Sequence, residues 1–135
     1  MIHPFIHFNG QCRDAVNFYA DTFNVEVGEL HTFGQLDPNS TLEESQKNQI
    51  AHTELTIFGC ILMLSDCYPL QKLTIGENFS ISINLTDKGK LVDTFNKLKD
   101  NGEILMDLTK TPWSDCYGML KDKFGVVWQF NLEKL

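Results

Sequence analysis

The sequence predicts an α+β fold made of two βαβββ units, and three observations carry that prediction. Short runs in which apolar and polar residues alternate recur along the chain, interrupted by only two segments with helical spacing. The order of elements is the same in residues 1–68 and 79–135: strand, helix, three strands. A local signature also repeats, since Phe58-Gly59 turns into Cys60-Ile61-Leu62-Met63-Leu64 and Phe124-Gly125 into Val126-Val127-Trp128-Gln129-Phe130. Each half is roughly 60 residues, too small to bury a deep core alone, so the 135 residues are expected to form a single domain. Two such units can bury their helices on one sheet face and curl the other around a cavity.

The first strand runs over Ile2 to Asn9, with Pro4 near its start, where a missing N–H costs least. A helix is predicted from Gln11 to Phe23, because Cys12, Ala15, Val16, Tyr19 and Phe23 recur at three- and four-residue steps. Asn9 or Gly10 is the candidate cap and Asn24 the stop. Val25 to Thr32 reads as the second strand. Phe33 to Asn48 is the only long polar segment and is read as a loop, of the kind that often serves as a lid or binding loop. Ile50–Phe58 and Cys60–Cys67 form a hairpin around Gly59, with His52, Glu54 and Thr56 on one face.

The second half opens on Ser80-Ile81-Ser82-Ile83-Asn84-Leu85, the cleanest alternation in the chain. A helix follows from Asp87 to Asn101, with Gly102 expected in the left-handed position that ends it. Glu103–Leu108 is a strand. The closing hairpin pairs Tyr117–Leu120 with Val126–Leu132 across Lys121–Gly125. If Trp128, Phe130 and Leu132 are buried, Gln129 and Asn131 face the opposite side.

Composition removes several function classes. A net charge of −7, without any basic cluster, disfavours nucleic acid, whose binding depends on Lys and Arg neutralising phosphates. No apolar run approaches the ~20 residues of a membrane-spanning helix. The N-terminal residues show no export signal, so the cytosol is the expected compartment. Cys12, Cys60, Cys67 and Cys116 contain no CxxC spacing and read most simply as reduced thiols, with a zinc or redox site as the alternative.

The sequence resembles the PhnB-like branch of the glyoxalase/bleomycin-resistance/vicinal-oxygen-chelate superfamily, whose members are often labelled 3-demethylubiquinone methyltransferase-like. The resemblance rests on Phe5, Phe8-Asn9-Gly10, Ala15-Val16-Asn17-Phe18-Tyr19, His52, Leu62-Met63-Leu64-Ser65-Asp66, Ser80-Ile81-Ser82-Ile83, Lys110-Thr111-Pro112-Trp113, Tyr117-Gly118-Met119, Asp122-Lys123-Phe124-Gly125 and Trp128. It implies a glyoxalase-like fold, a homodimer and a small-molecule ligand. Metal-dependent members place four ligands, His, Gln or Glu, on the cavity face. Their counterparts here are Pro4, Met63, Ser80 and Gln129. Proline offers no ligand, methionine is a soft thioether and serine is a weak neutral donor, so no metal and no other cofactor is expected. Nor is there a glycine-rich turn of the kind that opens a Rossmann-type cofactor site.

The candidate ligand-binding residues are Phe8, His52, Glu54, Met63, Ser80, Ser82, Trp113, Tyr117 and Gln129. His52 and Glu54 point the same way about 7 Å apart along one strand. They are either a hydrogen-bonded cavity-wall pair, an acid/base couple or half of a metal site. His3 and His7 are spaced HxxxH, but on a strand that spacing spans about 13 Å, too far for one metal shell. Trp113 and Tyr117 suit stacking on a planar ligand, or packing at a seam or dimer interface. The leading expectation is a metal-free small-molecule-binding protein. The alternative is an enzyme of lyase or isomerase type that uses His52 and Glu54 on a small oxygenated substrate.

Overall fold

A computed structural model describes all residues from 1 to 135. The chain divides into two compact units, Met1–Thr74 and Ile75–Leu135. The first holds β1 (Phe5–Phe8), α1 (Cys12–Phe23), β2 (His31–Thr32), α2 (Phe33–Leu36), α3 (Glu44–Lys47), β3 (Ile50–Ile57) and β4 (Cys60–Asp66). The second holds β5 (Ile81–Leu85), α4 (Lys88–Leu98), β6 (Glu103–Thr111), β7 (Ser114–Lys121) and β8 (Val127–Leu132).

The two sheets have the same topology, β1-β4-β3-β2 and β5-β8-β7-β6. In each, the first strand pairs in parallel with the last, and the other pairings are antiparallel. The predicted βαβββ unit is found twice, and in each copy the fourth strand returns beside the first.

Helix α1 packs on β3 and β4, burying Cys12, Ala15, Val16, Tyr19 and Ala20 against Leu55, Leu62 and Leu64. Its N-terminus is not capped by Asn9 or Gly10. Instead Asp66, at the end of β4, accepts the Cys12 N–H at 2.9 Å with one carboxylate oxygen and the Ile50 N–H at 2.9 Å with the other. The carboxylate is buried, yet both oxygens are satisfied, which offsets its desolvation. Asn24 ends the helix in the left-handed conformation, as its sequence position suggests.

The predicted strand over Val25–Thr32 is largely absent, with only His31 and Thr32 entering the ladder. The Thr53 hydroxyl takes the Glu29 carbonyl at 2.9 Å, a side-chain bond to a backbone group in the non-ladder segment. The Phe33–Asn48 segment is not one irregular loop. Thr32 with Gln35, and Glu43 with Gln46, form reciprocal capping boxes that start the single-turn helices α2 and α3.

In the second unit α4 packs on β5 and β8, with Leu91, Phe95 and Leu98 buried and Phe95 edge-on to Phe130. Asp87 caps it by accepting the Lys90 N–H at 3.1 Å. The left-handed residue after α4 is Asn101, at φ 55°, and not Gly102. Gly102 is required for another reason: a Cβ there would lie 2.5 Å from the Lys121 carbonyl oxygen. Asp122 organises the β7–β8 turn, accepting the Phe124 and Val126 N–H groups and, at 2.9 Å, the indole N–H of fully buried Trp128.

Candidate functional site

Each sheet has a helix-covered face and an opposite face, and register decides which side chains share them. In the first unit Ile6 pairs with Leu64 and Phe8 with Asp66, while Leu64 pairs in turn with Thr53. These belong to the helix side, and Phe8 is buried with its ring centroid 6.4 Å from that of Tyr19. Phe8 therefore belongs to the core and drops out of the candidate site, and Ile6 turns inward with it. The opposite face of β1 carries Phe5 and His7.

Phe5 is the parallel partner of Met63, which is also the antiparallel partner of Glu54. Phe5, Met63 and Glu54 thus form one row across three strands. Pro4 is not in that row; its backbone carbonyl accepts the Met63 N–H at 3.0 Å. His7 lies over Phe5 in a stacked arrangement with centroids 4.7 Å apart, and its Nδ1 meets the Ser65 hydroxyl at 2.8 Å. His52 meets the Phe5 ring edge-on at 5.6 Å. His52 Nε2 and Glu54 Oε2 are 3.8 Å apart, ion-pair range but beyond a hydrogen bond. Structure thus brings His52, Glu54 and Met63 together, and adds Phe5, His7 and Ser65. The alternation of β1 had placed Phe5 and His7 on one face; what it could not supply was which face the helix covers. His52 also borders a recess of about 260 Å³ lined by His31, Thr32, Gln35, Leu36 and Ala51.

In the second unit Ile81 and Ile83 pair with Trp128 and Phe130 on the helix side. Ser82 and Asn84 pair with Gln129 and Asn131 on the other. Tyr117 donates its hydroxyl to Gln129 Oε1, and Gln129 Nε2 donates to Ser80 Oγ at 3.0 Å. Asn131 Nδ2 donates to Asn84 Oδ1 at 3.1 Å, while Asn131 Oδ1 is buried without a hydrogen-bond partner. Trp113 stands edge-to-face on Tyr117, centroids 5.3 Å apart, and is itself 64% exposed. Ser80, Ser82, Trp113, Tyr117 and Gln129 are therefore gathered on one face of one sheet.

Residues 1–131 match the protein family described as 3-demethylubiquinone-9 3-methyltransferase. The chain belongs to this family. The chain is similar to Protein YjdN of Escherichia coli (strain K12), at 30% identity over 143 residues covering 98% of this chain and 95% of the relative. The crystal structure of PA1353 from Pseudomonas aeruginosa superposes with a TM-score of 0.86 at 32% identity, covering 98% of this chain and 97% of that one. A Bacillus cereus structure described as a putative 3-demethylubiquinone-9 3-methyltransferase, PhnB protein, gives 0.81 at 29% identity, with 98% of each chain covered. The fosfomycin resistance protein FosX from Listeria monocytogenes shares the fold alone, with a TM-score of 0.65 at 10% identity. The fold is thus that of the glyoxalase/vicinal-oxygen-chelate superfamily, in its PhnB-like branch.

Metal-dependent relatives of this fold imply a chelating set on the exposed sheet faces, and the residues of this family member do not fit one. On the first unit that row reads Phe5, Met63 and Glu54, a phenyl ring and a thioether beside one carboxylate. On the second unit Gln129 is the only strong oxygen donor at the expected positions, and its Oε1 already accepts the Tyr117 hydroxyl. Hard divalent ions want several carboxylate, imidazole or water oxygen and nitrogen donors. No group of three or more His, Cys, Asp or Glu side chains is arranged to hold a metal ion.

Proposed function

We propose that this PhnB-like protein binds a small organic molecule and works without a metal ion. The first unit offers His52, Glu54 and Met63 on one face of its sheet, and the second offers Ser80, Ser82, Trp113, Tyr117 and Gln129 on one face of its own. The observation that carries this reading is Gln129 held at both ends, by Tyr117 and by Ser80. A carboxamide tied at both ends into a neutral hydrogen-bond chain is a rigid recognition element for a small polar molecule. Mixed apolar and hydrogen-bonding surface is what small-molecule sites are made of. By the family resemblance the working form is taken as a homodimer in the cytoplasm, where its four free cysteines would stay reduced.

Native mass spectrometry of protein purified from cells without denaturation tests this. A bound mass of small-molecule size on a dimer is expected. Bare monomer from every preparation would contradict it.

The 3.8 Å approach of His52 to Glu54 favours a second reading, in which this pair exchanges a proton with an oxygenated substrate. His52→Ala would then abolish turnover of a co-purified ligand while leaving the fold intact, and unchanged turnover would reject the role.

A further inference from the structure

The hydrogen bonds on the second unit have a direction, and the direction specifies what the face has left to offer. Tyr117 gives its only hydroxyl proton to Gln129 Oε1, so its oxygen remains an acceptor. Gln129 Nε2 gives a proton to Ser80 Oγ, so the Ser80 hydroxyl proton remains to be donated. The nearest charged side chains of this row on β7 are at its ends, Asp115 and Lys121, and Lys121 is already bonded to Glu77. Between them the row is uncharged. The open flank of Trp113 supplies apolar surface for a ring.

We infer that this face selects an uncharged carbonyl compound that also carries a hydroxyl group, its carbonyl oxygen accepting from Ser80 and its hydroxyl donating to the Tyr117 oxygen. A carboxylate or phosphonate group would be desolvated here against the neutral dipoles of Ser80, Gln129 and Tyr117, with no unpaired cation on this row of β7 to balance it, which is unfavourable. The inference rests on the proposed small-molecule function and narrows it to a class of ligand.

A matched pair of probes tests it: 4-hydroxyacetophenone, which is neutral, and 4-hydroxybenzoate, which has nearly the same shape and a negative charge. The readout is the indole N–H resonance of Trp113 in the ¹⁵N-labelled full chain, with that of Trp128, buried and bonded to Asp122, as internal control. The neutral probe should move the Trp113 resonance alone and bind at least about tenfold more tightly than the anion, the scale set by leaving a polar group unpaired. Ser80→Ala and Tyr117→Phe, both small changes at partly exposed positions, should each weaken it roughly fivefold, the worth of one hydrogen bond. Equal or tighter binding of 4-hydroxybenzoate, no movement of Trp113 with either probe, or variants that bind like the parent would overturn the inference. A co-purified anionic molecule would overturn it too while leaving the binding function standing; only the lack of any bound molecule strikes at that function itself.

Discussion

Phe5 and Met63 are direct neighbours on parallel strands, with both side chains on the face of the first sheet away from α1. A phenyl ring and a thioether thus stand side by side on that face, next to Pro4, whose carbonyl accepts the Met63 N–H. The second unit repeats the arrangement with Ser82 beside Gln129.

The Asp66 carboxylate ties the start of α1 to the start of β3 through two 2.9 Å bonds to backbone N–H groups. Asp66→Ala leaves two buried donors unmet, and a loss of about 2–4 kcal/mol is expected in urea denaturation, with an unchanged m-value. A loss within experimental error would show that the helix start is not held from β4.

Two glycines should respond oppositely to alanine. Gly102→Ala drives a Cβ to 2.5 Å from the Lys121 carbonyl, with the Asp122 backbone behind it, so the β6–β7 pairing must shift. Overpacking of this kind costs about 1–3 kcal/mol or more. Gly59→Ala meets nothing within 4 Å and bears only the strain of φ +78°, about 1 kcal/mol. Thermal melts should rank Gly102→Ala well below Gly59→Ala.

Burial pushes the Cys12 thiol well above its ordinary range, and the nearby Asp66 carboxylate adds to the shift against a smaller lowering by Arg13. The thiolate is the reacting species, so Cys12 should resist alkylation in the folded protein. Mass spectrometry after iodoacetamide treatment at mildly alkaline pH should find exposed Cys60 modified first and Cys12 only on unfolding. Early modification of Cys12 would mean that the α1 N-terminus opens.

Glu77 and Lys121 form a surface ion pair that shifts both groups. The Lys121 hydrogen bond, then its charge, lowers the Glu77 carboxyl below 4.5; the Glu77 hydrogen bond raises the Lys121 ammonium above 10.5. The carboxylate contribution is therefore complete above pH 4.5 and is lost as pH falls through the lowered value. The ammonium contribution is complete below pH 10.5 and is lost as pH rises through the raised value. Glu77→Gln should flatten both limbs of the stability–pH profile slightly, and the difference from the parent should shrink in high salt.

The units, both long helices and seven of the eight strands are legible because each rests on a period that burial enforces. Leu91, Phe95 and Leu98 on α4, and Trp128 and Phe130 on β8, are buried where the spacing puts them. The losses have particular causes. Val25–Thr32 alternates like a strand, but its backbone is met by the Thr53 hydroxyl in place of a ladder beyond His31. The capping box Thr32/Gln35 fits the T-x-x-Q signal but is hidden by the polar composition around it, and Glu43/Gln46 starts on a glutamate and carries no such signal. At the candidate site, the faces of β5 and β8 followed from alternation alone. That of β1 did not, because all four residues of Phe5-Ile6-His7-Phe8 are aromatic or apolar enough to serve either side, and only pairing with Leu64 and Asp66 decides it. The Asp122–Trp128 bond, between a turn and a strand, carries no periodic signal at all.

Titration calorimetry of the chelator-treated protein with Mn²⁺ and Ni²⁺ addresses the metal-free reading most directly. With Phe5 and Met63 in one sheet and a Tyr117-bound Gln129 in the other, neither ion should give a saturable isotherm. One ion taken up per chain with a Kd of about 1 μM or tighter would contradict it.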